Sequence, residues 1–113
     1  MEIHISQVKQ NNQFYVKIQK SKDFNEFAWQ ELIKTIKQFQ DTPFIEEKKD
    51  LIVAEWVSFL SILGDLSDLR DLNNFEIICS KEAENKIQET ISNQKKISSE
   101  DFNIKINDKD IEN

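Results

Sequence analysis

The chain has 113 residues, of which 32% are charged and 38% hydrophobic, and a formal net charge of −6. That length sets one domain with a real core and little room for a second, and the composition belongs to a folded protein rather than a disordered one. A single Gly and a single His and Cys exclude glycine-loop nucleotide sites, disulfide frameworks and His/Cys metal clusters within this sequence.

The charge is unevenly spread. Residues 1–40 hold six lysines against four acids, residues 41–80 three bases against nine acids, and residues 81–113 six lysines against eight acids. An acidic middle third predicts a protein partner with a basic surface and argues against direct nucleic-acid binding, since phosphate backbones recruit cations. The longest apolar run, Leu51 to Leu63, is too short to span a bilayer and is interrupted by Glu55, Ser58 and Ser61. MEIHISQVK lacks the basic start and apolar stretch of a secretory leader. With one cysteine and no Asn-x-Ser/Thr acceptor, the expected location is cytoplasmic, with no membrane association.

In chain order, Ile3 and Ile5 followed by Val8, then Phe14, Val16 and Ile18 in strict alternation, predict two strands. Asn11-Asn12 between them suits a tight turn, so an antiparallel hairpin over about residues 2–20 is expected, with Tyr15, Lys17 and Gln19 outward. Asp23, three residues before Glu26, signals a helix start. Trp29, Leu32, Ile33, Ile36 and Phe39 then recur at helical spacing until Asp41-Thr42-Pro43 ends the helix. Thr42 and Pro43 also open a second long helix, predicted over 44–63 and almost wholly buried, with Gly64 as its C-terminal cap.

A short helix carrying Leu66, Leu69 and Leu72 should start at Asp65 and end at Asn73-Asn74. Phe75 to Cys79 reads as a buried strand. Ser80 caps a helix with an Ala83, Ile87, Ile91 stripe, and Phe102, Ile104 and Ile106 alternate as a last strand parallel to the Phe75–Cys79 strand. The expected fold is α+β: an N-terminal β-hairpin, two long helices and a short one, then a β-α-β unit. These form a small mixed sheet packed by helices, one domain over residues 1–107, with a polar tail at 108–113.

No constellation of reactive groups stands out. Cys79 reads as a core residue, and a Cys-His nucleophile would need His4 beside it. Asp101 to Glu112 imitates calcium-loop spacing, but Lys105 and Ile106 occupy positions that demand a ligand and a glycine. Tyr15, Lys17, Lys20 and Lys22 form a minor basic-aromatic patch, best read as solubilising residues. Trp29, Trp56, Phe59 and Phe75 belong to apolar patterns and are expected in the core. The chain thus reads as no enzyme, with no cofactor and no bound metal.

Trp56, Phe59, Leu60, Leu63, Asp65, Leu66, Leu69, Arg70 and Leu72, followed by Phe75-Glu-Ile-Ile-Cys79 with a helix behind it, are spaced so that residues 50–92 resemble a region of some bacterial Swi/Snf-like DNA helicases. That region is the N-terminal accessory part before the motor core. The resemblance implies a non-catalytic accessory domain of a helicase or translocase. It carries over no catalytic residue, because every motor motif is missing.

A second reading, from another class, is a free-standing acidic inhibitor or immunity protein that neutralises a basic enzyme such as a toxin or nuclease. The expected partner-binding residues, which would form the surface in this second reading, are the acids Glu46, Glu47, Asp50, Asp65, Asp68 and Asp71. The charges of the turn from Asp65 to Leu72 have no structural demand on them beyond solvation and the helix dipole.

Overall fold

A computed structural model describes residues 1–41, 43–93 and 105–106. Strands β1 (Glu2–Gln10) and β2 (Gln13–Lys20) form the expected hairpin, in register from Ile3 opposite Lys20 to Gln10 opposite Gln13. Asn11 and Asn12 both lie in the left-handed region, at φ 52° and 64°. The two-residue turn that matches strand twist requires this at both positions, and Asn tolerates it better than most side chains.

Helix α1 (Glu26–Lys37) is capped by Asn25, not by Asp23; the Asn25 side chain accepts from the amides of Phe27 and Ala28 at 2.8 and 3.2 Å. Asp23 is drawn elsewhere, 2.6 Å from the Ser21 hydroxyl and 3.1 Å from the N-terminal ammonium. The helix buries Ala28, Trp29, Leu32, Ile33 and Ile36 as its spacing predicts. Phe39 lies beyond the helix and is half exposed.

The second long helix predicted over 44–63 does not form. Its residues divide into β3 (Glu46–Glu47), β4 (Leu51–Ala54) and a five-residue α2 (Trp56–Leu60). A continuous apolar run fits a buried strand and a buried helix equally well by periodicity. What decides is that Leu-Ile-Val-Ala lies beside β2, with Ile52 opposite Ile18 and Ala54 opposite Val16, and buries residues on both faces of a sheet, as β-branched side chains do well. Lys48-Lys49-Asp50 forms the turn between β3 and β4, and the Trp29 indole pins it by donating to the Lys49 carbonyl at 3.1 Å. Glu55 is extended (φ −74°, ψ 138°) and separates strand from helix.

Gly64 is not a cap either: no glycine has positive φ, and it sits in the first turn of α3 (Leu63–Asn73). The left-handed residue that ends α3 is Asn74, at φ 56°, in the predicted Asn-Asn pair. Strand β5 (Glu76–Cys79) follows, then α4 (Lys81–Asn93), whose buried stripe is Ala83, Ile87 and Ile91. The Ser80 hydroxyl accepts from the Ala83 amide at 3.2 Å and caps α4 as expected. Strand β6 (Lys105–Ile106) pairs parallel with β5. The expectations for Thr42, Phe102, Ile104 and the tail 108–113 lie outside the described residues.

The strands form one mixed sheet in the order β3-β4-β2-β1-β5-β6, so the fold is α+β. Register fixes its two faces. Ile5 lies opposite both Ile18 and Cys79, and Ile18 lies opposite Ile52; this row, with Ile3, Val16, Ala54 and Ile77, joins the buried residues of all four helices in one apolar cluster. The helices therefore cover one face. His4, Ser6, Val8, Tyr15, Lys17 and Gln19 alternate with that row and lie on the other face.

Candidate functional site

The structure places the six expected acids on two different elements. Glu46, Glu47 and Asp50 belong to the β3–β4 hairpin at the sheet edge, while Asp65, Asp68 and Asp71 lie on α3, which packs chiefly against α1. The edge acids are partly neutralised: Glu47 lies 3.4 Å from Lys37 and Glu46 lies 2.9 Å from Lys48. The Glu46 hydrogen bond holds the Lys48 ammonium above the usual lysine range. Such charges blunt an edge strand against pairing with another chain, so these acids have a structural reason to be there.

The α3 acids differ. Asp65, Asp68 and Asp71 are all exposed. Asp71 is 3.2 Å from the Arg70 guanidinium, which also donates to the Ser67 hydroxyl at 3.3 Å. No ion pair among the described residues engages Asp65 or Asp68. Position 65, in the first turn, gains from the helix dipole, whereas 68 and 71 lie past its reach.

These acids form part of a longer exposed stripe. Ser61 keeps helical geometry (φ −71°, ψ −18°) and only Ile62 (φ −108°, ψ 16°) departs, so α3 continues α2 through a short kink. Val57, Ser61, Asp65, Asp68 and Leu72 recur at three- and four-residue spacing across the two helices, and all five are exposed. Leu72, expected to pack, is 81% exposed, and Val57 is 67% exposed. Their neighbours Phe59, Leu63 and Leu66 are fully buried, so α2 and α3 present one apolar face to the core.

Val57 also borders a groove of about 550 Å³ lined by Phe14, Tyr15, Pro43, Ile45, Glu55 and Trp56. Phe14 and Ile45 are 53% and 42% exposed, so three of the large exposed apolar residues converge here. Phe14 follows the inward parity of Val16 and Ile18 but lies at the hairpin tip, with the Lys9 ammonium 5.7 Å from its ring. The sequence reading missed these contributors because Val57, Leu72 and Phe14 fall at positions that periodicity assigns to a core. The signal available was the Ser61, Asp65, Asp68 series, which marks the wet side and includes Val57 and Leu72 at the same spacing.

The other candidate groups come apart. Cys79 is buried on the helix-covered face, whereas His4 is on the opposite face, 3.0 Å from Glu2. Burial, with the Glu84 charge as a lesser cause, pushes the Cys79 thiol up to about 12, which removes it as a nucleophile at neutral pH. Of the basic-aromatic patch, Tyr15 and Lys17 share the open face, while the Lys20 ammonium turns to Glu26, 3.9 Å away. Trp29, Trp56, Phe59 and Phe75 are buried as expected.

No helix among the described residues is long and apolar enough to cross a membrane. No group of three or more His, Cys, Asp or Glu among the described residues is arranged to hold a metal ion. No protein-family model, curated protein or solved structure matches the chain.

Proposed function

We propose that this chain is a non-catalytic protein-interaction domain that receives a basic partner along α2 and α3. The observation that carries this reading is the exposed stripe from Val57 to Leu72, apolar at both ends and acidic between, which starts at an apolar groove. Interfaces work by this division of labour: apolar anchors supply affinity, and surrounding charge selects the partner and speeds encounter. The edge acids Glu46, Glu47 and Asp50 contribute background potential rather than contact.

A free acidic inhibitor that covers a basic enzyme uses this surface in trans. An accessory domain of a DNA-remodelling motor uses it against its own motor or a neighbouring subunit. The unengaged carboxylates Asp65 and Asp68 favour the first, because neither is neutralised by a described residue of the chain itself. Photo-crosslinking separates the two. A photoreactive residue at position 72 is expected to capture a basic protein, and the same residue at Gln19, on the opposite sheet face, is not. A captured helicase motor would select the accessory role. Equal capture from both positions, or capture of an acidic protein, would overturn the assigned surface.

A further inference from the structure

The sheet face turned away from the helices holds a cavity of about 410 Å³ whose rim and floor include His4, Ser6, Lys17, Gln19, Lys22 and Asp50. Four of these form a block fixed by register: Ser6 is directly opposite Lys17, and His4 is directly opposite Gln19. Opposed side chains on one face of an antiparallel pair stand about 5 Å apart at Cβ, so the Lys17 ammonium, the Ser6 hydroxyl and the Gln19 amide reach into a common volume. Among the described residues, none of these three groups, nor the Lys22 ammonium, has a hydrogen-bond or ion-pair partner within the chain. His4 is held to one side by Glu2. Two uncommitted ammonium groups thus face one acid among the described lining residues, the exposed Asp50, while the Glu2 carboxylate is taken up by His4.

In a chain of net charge −6, a concave cluster of unengaged cationic and neutral donors has no role in the core and none in the acidic surface. We infer that this face binds a compact oxyanion, a phosphate or carboxylate group carried on a small molecule. Lys17 and Lys22 supply the charge, and Ser6 and Gln19 supply directional hydrogen bonds, which are stronger to an ionised acceptor than to a neutral one. The site lies on the face opposite the apolar cluster into which α2 and α3 pack. Occupancy therefore leaves the proposed protein surface open.

The test is a titration of the full chain with inorganic phosphate, at constant ionic strength held with chloride, followed by amide correlation spectra. Saturable shifts are expected at Ser6, Lys17 and Gln19. Lys17→Gln should weaken binding about tenfold or more, the usual scale for losing a charged hydrogen bond, and Lys9→Gln should leave it unchanged. Lys22→Gln, at an exposed position outside the strands, should weaken binding several-fold and serves as a second variant if Lys17→Gln fails to fold. Shifts that grow linearly without saturating, or affinity in Lys17→Gln and Lys22→Gln equal to that of the control Lys9→Gln, would overturn the proposal. So would tighter, steeply salt-dependent binding of a single-stranded oligothymidine, which would make the face a nucleic-acid platform instead.

Discussion

Cys79 offers a direct check on the packing of the sheet against the helices. The thiol is fully buried on the helix-covered face, between the β1–β2 core row and α4, and its pKa rises from 9.0 to about 12. The native state therefore keeps this proton to about pH 12, whereas the unfolded chain releases it above about pH 9. Between those values the unfolded state binds fewer protons, so stability falls as pH rises; below about pH 9 nothing is lost. At pH 10.5 the unfolded thiol sits about 1.5 units past its midpoint, which corresponds to about 2 kcal/mol at 1.36 kcal/mol per unit.

Urea unfolding of the wild type and of Cys79→Ala between pH 7.5 and 10.5 isolates this term, because the two proteins differ in this one side chain. The difference in stability between the two proteins should shrink by about that amount over the range. Alkylation with iodoacetamide at pH 8 should agree: a shift of this size lowers the thiolate fraction about a thousandfold, so native Cys79 should be inert until urea unfolds the chain. Parallel pH profiles, or native alkylation within about tenfold of the unfolded rate, would refute the burial of this strand.

Three further outcomes follow from the same structure. Phe59→Ala should cost about 3–5 kcal/mol in urea unfolding because the ring is fully buried, whereas Val57→Ala, two residues away and exposed, should stay within about 0.5 kcal/mol. Asn25→Ala removes the side-chain acceptor for two α1 amides and should cost about 1 kcal/mol, while Asp23→Ala should leave the α1 amides protected from hydrogen exchange as before. Leu66→Ala should destabilise by about 2–5 kcal/mol, and Leu72→Ala should leave stability unchanged within about 0.5 kcal/mol while weakening partner binding.

Much of the architecture was legible because local chemistry and tertiary packing agree. Asn11-Asn12 names its turn, Ser80 its helix start, and Ala83, Ile87 and Ile91 their buried stripe. The failures cluster in residues 44–64, where two buried states compete for one apolar run. Leu51 to Ala54 becomes a strand because β2 offers a free edge with matching apolar residues, a long-range fact that a local window does not contain. Asn25 takes over from Asp23 as the α1 cap because the Ser21 hydroxyl and, less strongly, the N-terminal ammonium hold Asp23 and lower its pKa, which no spacing rule anticipates. At the candidate surface, the three α3 acids were legible as exposed charges. Val57 and Leu72 were not, because the sequence shows an apolar residue without showing that the core has already closed on its neighbours.

Charge on α3, in the proposed function, draws a basic partner to the stripe. Stopped-flow association of the crosslinked partner at low and high salt, for the wild type and for Asp65→Asn/Asp68→Asn/Asp71→Asn, reads this attraction as a rate. The triple variant should associate about tenfold or more slowly at low salt and lose most of its salt dependence, with dissociation little changed. Association rates and salt dependence identical to the wild type would contradict it.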